Sequence, residues 1–141
     1  MDQLSFSDAE YSGKRKQTRR EKFLGEMEQV VPWSRLERLI EPDYPKAGNG
    51  RQPYPLATML RIYFMQQWYS LSDPAAEDAL YEITSMRQFA KLTLSQGRIP
   101  DESTILQFRH LLEKNNLTEA LFAEVNVHLQ NKGLMLRQGT L

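Results

Sequence analysis

With 141 residues the chain is long enough for one ordinary domain, and its 40% hydrophobic and 26% charged content excludes a disordered or fibrous class. Lys and Arg number 18 against 18 Asp and Glu, so the formal net charge is zero and a bulk polyanion-binding surface is not implied. Cysteine is absent, which excludes disulfides and thiolate metal sites and fits the cytoplasm.

Residues 1–13 are polar, with Leu4 and Phe6 as small anchors, and read as a loose N-terminal arm without the basic start and apolar run of a signal peptide. A helical pattern begins at about Thr18, where Phe23, Leu24, Met27, Val30 and Val31 recur at three- and four-residue steps. Pro32 ends it, and Trp33, Leu36, Leu39 and Ile40 suggest a second short helix. Prolines 42, 45, 53 and 55 with Gly48 and Gly50 make residues 41–55 an ordered loop. The next helix, Leu56 to Trp68, is apolar nearly all round and predicts the buried centre of the fold. Arg61, Gln66 and Gln67 interrupt its apolar run, which keeps it short of the roughly 18 residues of a bilayer span. Asp73-Pro74 reads as N-cap and first position of a fourth helix, and Ser85 as the cap of a fifth through Met86, Phe89, Ala90 and Leu92. Gly97 and Pro100 break the chain, and Asp101 caps a sixth helix with Ile105, Leu106, Phe108, Leu111 and Leu112 inward. Thr118 starts a seventh, with Leu121, Phe122, Val125 and Leu129 inward and Gly133 closing it. Residues 134–141 look extended and unfinished.

Most candidate chemistry dissolves on inspection. His110 and His128 lie on different predicted helices without the spacing of a metal site. Gly48-Asn49-Gly50 follows no strand and lacks the Lys-Ser/Thr of a phosphate loop. Asp73, Glu77, Asp78 and Glu82 read as a solvated acidic face, favoured in a first helical turn by the dipole. No serine has a base and an orienting acid beside it. No cofactor is expected. Two features remain. Lys14, Arg15, Lys16, Arg19, Arg20 and Lys22 crowd together with Glu21 the only acid among them, and such a run repels itself unless a polyanion neutralises it. The Asp101 helix, preceded by the short helix at Met86–Leu92, has the outline of a loose helix-turn-helix, whose second helix presents its N-terminal residues to the major groove.

At this point a family resemblance enters. Tyr44-Pro45-Lys46-Ala47-Gly48-Asn49-Gly50-Arg51-Gln52-Pro53-Tyr54-Pro55 resembles the loop near the N-terminus of bacterial insertion-sequence transposases of the InsH kind, the insertion-sequence-five group. Met59-Leu60-Arg61-Ile62, Gln67-Trp68-Tyr69-Ser70-Leu71-Ser72-Asp73 and Pro100-Asp101-Glu102-Ser103-Thr104-Ile105 are similar to the same family in the same order. The resemblance implies a helical, DNA-associated N-terminal domain. It further implies that Gly139-Thr140-Leu141 opens a ribonuclease-H-like domain whose Asp-Asp-Glu triad lies beyond these residues, so that no catalytic residue can be assigned and no enzymatic activity of the chain itself is expected.

The sequence thus predicts an all-α bundle of six or seven helices. Its divisions are an arm at 1–13, a DNA-binding domain at 14–133 and the start of a missing catalytic domain at 134–141. The expected function is binding of terminal inverted repeats in transposition. Phosphates would be held by Lys14, Arg15, Lys16, Arg19, Arg20 and Lys22, and groove edges would be reached by Ser103, Thr104, Gln107 and Arg109. The alternatives are a helical module that pairs with itself or with intact transposase and regulates it by mixed assembly, or a decayed fragment. No membrane partner is expected.

Overall fold

The computed structural model describes residues 6–14 and 16–133, and over these the chain is all-α, with eight α-helices, two single 3-10 turns and no strand. The helices are α1 (Phe6–Ser12), α2 (Arg19–Val30), α3 (Trp33–Ile40), α4 (Leu56–Tyr69), α5 (Asp73–Glu82), α6 (Thr84–Phe89), α7 (Glu102–Lys114) and α8 (Leu117–Asn131). The count exceeds the expected six or seven because residues 6–12, read from sequence as part of a loose arm, form α1. Residues 134–141, expected to be an extended tail, lie outside the described residues.

Local chemistry accounts for most of the boundaries. Thr18 closes a capping box on α2: its hydroxyl accepts from the Glu21 N–H at 3.2 Å, and the Glu21 carboxylate accepts from the Thr18 N–H at 2.7 Å. Pro32 separates α2 from α3, as its missing donor requires. Asp101 caps α7 by accepting from the Thr104 N–H at 2.8 Å. The cap of α5 is Ser72 instead of Asp73: its hydroxyl accepts from the Ala75 N–H at 3.1 Å, which leaves the Asp73 carboxylate for another partner. Ser85 lies one residue inside α6, which has no side-chain cap, and α8 starts at Leu117 behind a left-handed Asn116.

α4 is the axis of the core. Every residue from Thr58 to Gln66 is buried, so all of its faces are covered over that stretch. Trp33 and Phe64 meet edge to face at 5.6 Å, and Trp33 and Phe89 at 5.8 Å, joining α3, α4 and α6 through their rings. Arg61 does not interrupt this core but belongs to it. It is 3% exposed, its guanidinium donates to both Glu28 carboxylate oxygens at 3.0 and 2.8 Å, and it lies 4.2 Å over the Trp33 ring. Arg87, also buried, donates to the Leu80 and Tyr81 carbonyls at 3.0 and 2.9 Å and satisfies the end of α5 with a cation where the dipole favours one.

α5 packs on both α6 and α7, while α7 also packs on α4 and α8. α5 and α7 run antiparallel, because Asp73 and Glu77 of α5 meet Arg109 and Glu102 of α7 respectively. The anticipated Met86–Leu92 helix spans Thr84–Phe89 and packs chiefly on α2 and α5, so it and α7 share α5 as a neighbour, and the link between them holds a 3-10 turn at Leu94–Gln96 and Gly97 at φ 107°.

Candidate nucleic-acid interface

The basic run divides into cations with structural duties and cations without them. The Lys14 ammonium pairs with the Glu21 carboxylate and sits 4.5 Å over the Tyr11 ring, tying α1 to the start of α2. The Lys14 hydrogen bond, followed by the Thr18 backbone and Tyr11, pulls the Glu21 carboxyl down to about 2. Burial first, then the Glu21 hydrogen bond, pushes the Tyr11 hydroxyl up to about 12. Arg20 lies 5.6 Å over the Tyr69 ring. Lys16, Arg19 and Lys22 are exposed and form no ion pair among the described residues. Arg15 lies outside the described residues. Arg19 and Arg20 occupy the first two positions of α2, where the helix dipole is already positive, and each cation there costs roughly 0.3–1 kcal/mol at low ionic strength.

α7 sorts its side chains by face. Ile105, Phe108 and Leu112 are buried as the sequence predicts, whereas Leu106, expected inward, is 36% exposed. Ser103, Gln107 and His110 are exposed at steps of four and three residues and share the outer face. Arg109, predicted to be free for a base edge, is held elsewhere. Its guanidinium donates to both Asp73 carboxylate oxygens at 2.9 and 2.7 Å and lies 3.8 Å from Glu113. Asp73 also accepts from the Gln66 amide at 2.8 Å. The Arg109 hydrogen bond holds the Asp73 carboxyl below its ordinary value, and Asp73 in turn raises Arg109. The antiparallel neighbour α5 is the reason, since it lays its first turn beside the middle of α7. Its acidic face is accordingly only partly solvated: Glu77 accepts the Glu102 N–H at 2.8 Å and closes the start of α7 together with Asp101.

Thr104 and Gln107 line a cavity of about 340 Å³ between α7 and the loop at 44–54. Tyr44 fixes that loop. Its hydroxyl donates to the Tyr54 carbonyl, its ring stands edge-on to Phe108 at 6.0 Å, and burial pushes the hydroxyl up to about 12. Lys46, Arg51 and Arg98 also line the cavity and no lining residue is acidic. Arg98 lies 4.0 Å over the Tyr54 ring and donates to the Gln52 carbonyl at 2.8 Å. The sequence reads 41–55 as an ordered loop and assigns no site role to Lys46, Arg51 or Arg98; the available signal for the first two is their position on a segment stiffened by prolines.

The structure therefore brings Thr104 and Gln107 together with new cations and does not join them to the α2 run. Arg20 meets Tyr69 at the end of α4, while Met59 near its start lines the cavity, a separation of about 15 Å along the axis. Among the described residues no cluster of three or more His, Asp or Glu is placed to hold a metal ion, and no helix is long and apolar enough to cross a membrane.

The family model described as Transposase domain (DUF772) matches residues 12–111. The chain belongs to this family. The matched part of the DUF772 domain runs from the end of α1 to Leu111 of α7, and so contains the α2 cations, the 44–54 loop and the outer face of α7. Membership assigns the chain a role related to transposition. No solved structure matches it.

Proposed function

We propose that this transposase domain binds DNA at the ends of its mobile element, as a gripping unit without strand-transfer chemistry of its own. The observation that carries this reading is the exposure of Lys16, Arg19 and Lys22 without an acid partner, at the helix end where positive charge is least favourable. Glu21 caps the start of α2 and pairs with Lys14, which leaves Lys16, Arg19 and Lys22 without an ion pair among the described residues, and a phosphate backbone would supply one. The second basic site, at Lys46 and Arg51, lies about 15 Å along α4 from the first, too far for one small anion to occupy both.

In this reading the α2 cations position the domain on phosphates, and Gln107 and Ser103 on the outer face of α7 read the groove. Phosphates would keep away from the very start of α7, where Glu77, Asp101 and Glu102 collect negative charge. The narrower resemblance to transposases of the InsH kind supplies the ligand, terminal inverted repeats. Fluorescence anisotropy with a duplex carrying such a repeat and with a scrambled duplex tests the proposal. Both should bind, the repeat more tightly, and Gln107→Ala should cut the preference by roughly tenfold while sparing the scrambled duplex. Absence of binding to either duplex would overturn it.

A further inference from the structure

The cavity between the 44–54 loop and α7 has the makings of a site for one extrahelical nucleotide, and we infer that it receives an unpaired nucleotide of the bound DNA. This deepens the DNA-binding reading and rests on it. At about 340 Å³ the space falls within the roughly 300–1,000 Å³ of small-ligand sites. Its apolar lining comes from the half-buried Tyr54 and Leu111 and the small part of Phe108 that stays exposed, against which a base can pack. Gln107 offers an amide donor and acceptor, the groups that meet a base edge, while the Thr104 hydroxyl donates to Asp101 and keeps only acceptor capacity. Lys46 and Arg51 are exposed, carry no ion pair among the described residues, and lie where a nucleotide's phosphate would need them. No acid lines the cavity itself, and Asp101 meets Arg51 electrostatically from outside the lining.

A paired base cannot enter, because its neighbours in the stack cover both of its faces. A base at a frayed or overhanging end can. Tyr44 makes the site a fixed one: by holding the Tyr54 carbonyl and abutting Phe108, it sets the distance between the loop wall and the helix wall. The Arg98 guanidinium, itself a lining residue, is stacked on Tyr54 and bonded to the Gln52 carbonyl, which stiffens the same wall.

Three duplexes of one sequence separate the possibilities: blunt, with a two-nucleotide overhang, and with the same overhang made abasic. The full chain should bind the natural overhang roughly tenfold more tightly than the blunt duplex. The abasic overhang, which keeps the phosphates but lacks the base, should bind less tightly than the natural overhang and fall between it and the blunt end. Arg51→Gln with Gln107→Ala should abolish the difference, with thermal melts showing that the variant is folded; both side chains are exposed and the substitutions leave no buried gap. Removing the α2 cations should weaken all three duplexes and preserve their ratio. Equal binding of overhang and blunt ends, with affinity for both intact, would overturn the nucleotide site and leave the DNA reading standing. An abasic overhang that binds as well as the natural one would also overturn it, because phosphate alone would then suffice. Failure to bind any of the three would remove the DNA reading and this inference with it.

Discussion

Two neighbours on α7, Gln107 and Arg109, have opposite duties. Gln107 faces outward beside a cavity, whereas Arg109 donates twice to Asp73 and is 30% exposed. A bidentate pair this sheltered contributes more than a surface ion pair, so Arg109→Ala should lower stability by about 1–2 kcal/mol. Its effect on DNA affinity should be no larger on a terminal repeat than on random sequence. A double-mutant cycle with Asp73→Ala checks the assignment: the two losses should be strongly non-additive. Simple additivity would mean that the pair is decoration. Arg61 poses the same question deeper in the fold, where Glu28→Gln would leave a buried guanidinium without its counter-charge. The cost should be about 1–3 kcal/mol, discounted because the Glu28 side chain is 35% exposed, and urea unfolding would measure it.

At the scale of elements, α2 begins with two arginines where the dipole disfavours cations, partly offset by the Glu21 capping box. Arg19→Gln with Lys22→Gln should leave the melting temperature unchanged or raise it, while DNA binding falls. A clear loss of stability in that variant would show that these cations serve the fold. The periodicities of α2 and α7, and the cap at Asp101, are legible in the sequence, because each depends on residues within a turn of one another. Three features were not legible for the converse reason. Arg61 reads as a break in an apolar run until Glu28, 33 positions away, is seen beside it. Arg109 looks free until α5 folds back and delivers Asp73, 36 positions away. Lys46, Arg51 and Arg98 belong to two loops that only the tertiary fold sets against α7. α1 was missed because a short polar helix held by Tyr11, Lys14 and Glu21 leaves almost no apolar period to detect.

For the whole molecule, charge sets both acid stability and the behaviour toward DNA. Asp73 and Glu28 are held below their ordinary values of 3.8 and 4.5 by Arg109 and Arg61 respectively. Carboxyls depressed in the fold contribute stability that is fully present above those values and is lost as pH falls through the lower folded ones. Asp73→Asn should therefore be less stable than wild type near neutrality, and the gap should shrink as pH falls below 3.8. A gap that stays constant into acid would place the effect outside the ion pair.

The central claim is that unpartnered α2 cations hold DNA phosphates, and the salt dependence of DNA affinity tests it most directly. Each phosphate contact contributes roughly 0.9 to the slope of log affinity against log salt. Replacing Lys16, Arg19 and Lys22 by glutamine should lower that slope by roughly two to three units, with sequence preference almost unchanged. A slope that does not change would show that these cations face only water.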